Sequence, residues 1–139
     1  MKKFSIASFV VLAAFAAKAN ALPDLPVDEP TKVERVMSVT NVFVSSRMDR
    51  DDASVFISGQ FPNSCYQWSR ATVNELEEDK SAQNMHVLRA YANVSQGMCL
   101  QVITPFTREV SIGALGDGQH TIRVLNGDGT YQQLIVDIR

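Results

Sequence analysis

Side chains that carry most enzymatic chemistry are scarce in this chain of 139 residues, which has two cysteines, two histidines and one tryptophan. Neither an HExxH nor a GxSxG sequence occurs, so the usual marks of a zinc hydrolase or a serine-hydrolase elbow are missing. No apolar run reaches the roughly 20 residues that span a bilayer. No basic stretch is longer than Lys2-Lys3, and acids outnumber cations to give a net charge of −2. Nucleic acid and anionic membrane surfaces are therefore poor partners. No internal repeat or low-complexity tract divides the chain, whose length suits one domain with one core.

What is present begins with an export grammar. Met1-Lys2-Lys3 precedes a mostly apolar stretch from Phe4 to Ala17, followed by small residues at Ala17, Ala19 and Ala21. A basic start, a short apolar run and an A-x-A-like exit predict a cleaved signal peptide over residues 1–21. Cleavage after Ala19 or Ala21 fits, and Ala21 is preferred. The expected product has no membrane anchor and is periplasmic or secreted. Losing Lys2, Lys3 and Lys18 leaves ten cations against fifteen acids.

Cys65 and Cys99 both survive that cleavage, and an exported compartment is oxidising. With only two thiols, the intrachain bridge can only be Cys65–Cys99. In the chain-entropy model a loop of that size contributes roughly 3.5–4 kcal/mol. A zinc site is the weaker alternative, because neither cysteine has a CxxC partner or a nearby histidine.

Residues 22–32 carry Pro23, Pro26 and Pro30 among acids and read as a proline-rich N-terminal arm. Residues 33–139 then read as one β domain. Val36 to Val44 is rich in β-branched residues, with Val42 and Val44 expected on one face and Phe43 on the other. Charged Arg47 to Asp52 makes a turn, and Val55 and Ile57 alternate against Phe56. Phe61-Pro62-Asn63-Ser64 turns the chain into Cys65, and Tyr66 and Trp68 start the next strand. Residues 75–84 are polar and read as a loop. Residues 85–94 fit either a helix capped by Ser81 or a strand alternating through Leu88, Ala90, Ala92 and Val94; the period of the neighbours favours a strand. Leu100, Val102 and Thr104 alternate until Pro105 breaks the run. Val110 and Ile112, then His120, Ile122 and Val124, then Leu134, Val136 and Ile138 mark further strands. Asn126-Gly127-Asp128-Gly129 supplies the positive φ angles of a tight hairpin. About seven short strands with frequent turns predict an all-β, antiparallel, Ig-like β-sandwich with one disulfide.

Gly59, Phe61-Pro62-Asn63-Ser64-Cys65-Tyr66, Gly97-Met98-Cys99, Thr104-Pro105-Phe106, Leu115 and Gly118-x-His120-x-Ile122-x-Val124 resemble exported bacterial Ig-like β-sandwich domains. The resemblance runs from Gly59 to the C-terminus and rests on structural motifs, so it implies no catalytic residue. The antibody pattern is not met, because Trp68 lies three residues past Cys65 and Gly97 sits two before Cys99. That departure favours a bond from a strand end to a neighbouring strand or loop over a central inter-sheet bridge.

Each candidate site also has a plainer role. His86 and His120 need to converge with further groups before they make a triad or metal site, and ordinary strand or loop histidines are the simpler reading. A calcium loop starting at Asp49 wants glycine and glutamate where Ser54 and Gln60 stand. Asn126, Asp128 and Thr130 are explained by the hairpin. Phe61, Tyr66, Trp68 and Phe106, with Tyr91 nearby in type, are the candidate binding surface, although core packing competes for them. No metal and no cofactor are called for. Together these readings predict a non-catalytic exported binding or structural module whose partner is another envelope or extracellular protein. The alternative is an inhibitor of a lysozyme-like or proteolytic hydrolase, acting through the 61–66 turn and the acidic 75–79 loop.

Overall fold

The computed structural model describes residues 31–48, 50–76 and 82–139. The expected signal peptide (residues 1–21), nearly all of the expected proline-rich arm, Asp49, Ser81 and residues 77–80 of the expected acidic loop lie outside the described residues.

Eight strands are present among the described residues: β1 (Lys32–Val36), β2 (Val39–Met48), β3 (Ala53–Phe61), β4 (Tyr66–Val73), β5 (Met85–Ser95), β6 (Thr104–Gly113), β7 (Gly118–Leu125) and β8 (Tyr131–Ile138). They form a five-stranded sheet in which β4 and β1 both pair β5, followed by β7 and β8, and a three-stranded sheet ordered β2-β3-β6. The segment 85–94 is a strand, as its period of two indicated. The extra strand comes from the stretch after Val33, which crosses between the sheets at Met37 and Ser38 and so yields both β1 and β2.

β5 organises the larger sheet. Along one edge, its first half pairs with β7 and its second half with β1, while β4 covers the other edge. The β5–β7 pairing of residues 85–88 with 121–124 is parallel, unlike the antiparallel expectation, because the chain visits the other sheet as β6 before returning.

Alternation directs Val55 and Ile57 from β3, Leu88, Ala90 and Ala92 from β5, and Ile122 and Val124 from β7 into one core, with none of them exposed. Val42 joins them, but Val44 does not. Val44 lies opposite Val55, on the same face as Val42 opposite Ile57, but β2 is an edge strand and leaves Val44 48% exposed. The buried Ser45 hydroxyl donates to Glu109 Oε1 at 2.6 Å.

Two features lock the sheets together. A Cβ at Gly59 would lie 2.7 Å from the Phe106 ring and 2.8 Å from the Ser38 carbonyl, so glycine admits both the ring and the crossing chain. The β7–β8 hairpin then reaches across: Asn126 Oδ1 accepts the Val39 N–H at 2.8 Å and its Nδ2 donates to Val39 O at 3.3 Å. A side-chain amide thereby takes the place of a missing strand neighbour at the start of β2.

Candidate functional site

One end of the sandwich is built around the disulfide. Cys65 immediately precedes β4 and Cys99 lies in the loop after β5, with Cα atoms 5.3 Å apart. The bond thus joins a strand end to a neighbouring loop, as the departure from the antibody pattern suggested. Hydrogen bonds tighten the same junction. Ser64 N–H donates to Leu100 O at 3.0 Å, Leu100 N–H donates to Ser64 Oγ at 2.8 Å, and Ser95 N–H donates to Cys65 O at 3.0 Å.

These ties hold loop 97–103 with its apolar side chains in solvent. Relative exposures are 103% for Met98, 70% for Leu100, 52% for Val102 and 65% for Ile103. The run through Leu100 and Val102 that reads as a strand is therefore a loop. The strand begins later, at Thr104, and contains Pro105 instead of ending at it. Pro105 is tolerated because β6 is the edge of its sheet, where one side of the backbone needs no ladder partner. A usable signal does exist in the sequence, since no charged residue occurs between Arg89 and Arg108. An uncharged stretch that holds a cystine and a Gly-Met pair is a candidate for an exposed apolar loop.

The four aromatic candidates do converge, but mainly as packing. Phe61 and Phe106 are buried with ring centroids 4.9 Å apart, and Trp68 lies 5.9 Å from Phe106. Phe61 and the half-buried Tyr66 also line a cleft of about 250 Å³ with Val36, Met37, Ser38, Gln60 and Pro62. Trp68 and Phe106 do not line this cleft.

Of the acidic candidates, Glu75 is already engaged. It accepts from Tyr91 OH at 3.0 Å and from Arg70 Nη1 at 3.2 Å, while Arg70 grips Glu34 with two bonds of 3.0 Å. These bonds hold the Glu34 carboxyl, chiefly through Arg70, and the Glu75 carboxyl, chiefly through Tyr91, below the usual carboxylate range. Asp52 accepts from Ser111 Oγ at 3.3 Å, and Asp128 and Thr130 bond each other within the hairpin. No group of three or more His, Cys, Asp or Glu side chains among the described residues is placed to hold a metal.

The histidines, separated by 34 positions, meet at the opposite end. His86 Nε2 lies 3.1 Å from His120 Nδ1, and His120 Nε2 lies 2.7 Å from the Gly116 carbonyl. Burial, and then the adjacent His120 ring, keep His86 below the ordinary histidine range. The structure contains the convergence that the sequence left unassigned.

Two packed sheets, an inter-loop disulfide and a side-chain core define a β-sandwich domain. A family model matches residues 55–135, from within β3 into β8, and the chain belongs to the ORF11 beta-sandwich domain family. Neither the curated proteins nor the solved structures hold a match to this chain.

Proposed function

We propose that the protein is a non-catalytic binding module, exported to a bacterial cell envelope, that docks on a protein partner through loop 97–103. The observation that carries this reading is the exposure of Met98, Leu100, Val102 and Ile103 on a loop closed by a disulfide. An apolar protrusion costs solubility unless a partner covers it, and covalent closure lowers the entropy lost when it is covered. The signal grammar of residues 1–21 and the disulfide support the compartment.

The partner that suits this loop offers a narrow apolar cleft with few charges. Immobilised protein should retain such a partner from envelope extract, and a Leu100→Asp/Ile103→Asp variant with unchanged melting should release it. Equal retention by the variant removes the loop from the reading.

A second reading is favoured by the same exposed, disulfide-closed loop: it fills the cleft of a hydrolase as an inhibitor. In this reading apolar side chains make the contact, because Glu75 is occupied by Arg70 and Tyr91. A panel of lysozymes and proteases assayed with excess protein tests it, and undiminished activity across the panel discards it.

A further inference from the structure

We propose that His86 and His120 form a two-imidazole chelate for one divalent transition-metal ion of the zinc or copper class. A carbonyl oxygen can only accept, so the 2.7 Å contact with Gly116 O places the His120 proton on Nε2. His120 Nδ1 is left with its lone pair, and that lone pair faces His86 Nε2 at 3.1 Å.

The nitrogen separation suits a shared ion; the rings meet nearly end-on, with centroids 5.3 Å apart, so the half-exposed His86 ring tilts on binding to bring its lone pair onto the ion. Two nitrogens bound to one ion at about 2.0–2.1 Å stand about 3.1 Å apart when the angle between them is about 98°, between square and tetrahedral values. The carbonyl behind His120 matches the usual support of a ligating histidine, in which the other ring N–H is held by a backbone oxygen. Binding requires no net proton loss. The His86 proton moves from Nε2, where it bridges to His120, to Nδ1 of the same ring, and Nε2 becomes a donor to the ion.

The position is also suitable. His86 lies near the start of β5 and His120 near the start of β7, on adjacent strands of the parallel pairing. His120 is 4% exposed, whereas His86 is half-buried and leaves a path for solvent to complete the coordination shell. There is no free cysteine to compete for the ion. With two protein donors the ion is exchangeable, and its effect is to clamp β5 to β7.

The test uses untagged, chelator-stripped protein titrated with Zn²⁺ and with Cu²⁺ near neutral pH. Calorimetry should report one ion per chain, and the melting temperature should rise and fall back when chelator is added. Bound Cu²⁺ should show hyperfine coupling to two imidazole nitrogens. His86→Gln keeps a hydrogen-bond donor on a half-exposed position, so it should fold normally yet lose at least tenfold in affinity. His120→Gln provides the second variant. Absence of saturable binding by either metal in the wild type, or undiminished binding by folded His86→Gln, would overturn the proposal and leave a hydrogen-bonded histidine pair.

Discussion

The two ends of the sandwich are closed by opposite means. At one end a disulfide and three main-chain or hydroxyl hydrogen bonds secure a loop whose apolar side chains remain in water. At the other, Leu115 is 2% exposed, its N–H donates to Arg50 O, Arg50 pairs with Asp117, and the histidine pair lies beneath Gly116. The second end is sealed in the ordinary way, by burying an apolar side chain and satisfying the polar groups around it. The first is held covalently, which frees its apolar residues from packing duty. An end that need not bury its hydrophobic residues to stay in place is the end available to present them.

Removing the covalent closure should have the largest effect. Cys65→Ser or Cys99→Ser is expected to lower stability by about 4 kcal/mol, read by denaturant melts, with one titratable thiol appearing. At the sealed end Leu115→Ala should cost about 3 kcal/mol through lost burial and the cavity left behind. Between the ends, Asn126→Ala strands the Val39 N–H and should cost about 2 kcal/mol, with faster amide exchange at Val39 as its local signature. The smallest change belongs to the exposed loop: Leu100→Ser with Ile103→Ser should alter stability by no more than about 0.5 kcal/mol. A loss comparable to that of Leu115→Ala would show that the loop is packed and would erase the contrast between the ends.

Much of the architecture was legible wherever local chemistry decides. Asn126-Gly127-Asp128-Gly129 forms its hairpin, with Gly129 at a φ of +84°, and Ile122 and Val124 enter the core by alternation. What escaped depends on neighbours that a one-dimensional pattern does not name. Leu100 and Val102 have a strand's period but no strand beside them to complete a ladder. Val44 has the right parity and lies opposite the buried Val55, yet its place on the edge strand β2 leaves it exposed. Phe61 and Phe106 read as surface candidates because composition cannot say that their rings lie 4.9 Å apart across the β3–β6 edge. His86 and His120 each look ordinary alone, and only the parallel β5–β7 pairing brings them together.

The shared edge of β5 has a consequence for the order of assembly. β7 supplies four register pairs along it and β1 supplies five, so a strand near the start of the chain finishes an edge begun by one near its end. β1 cannot dock until β5 has been made some sixty positions later, and closing so long a segment is slow compared with forming a hairpin. Four of its five side chains are exposed, so little burial holds it once docked. During synthesis β1 therefore waits longest for its partner, and in the finished molecule it is expected to open first, with amide exchange at residues 91–95 of β5 faster than in the core strands.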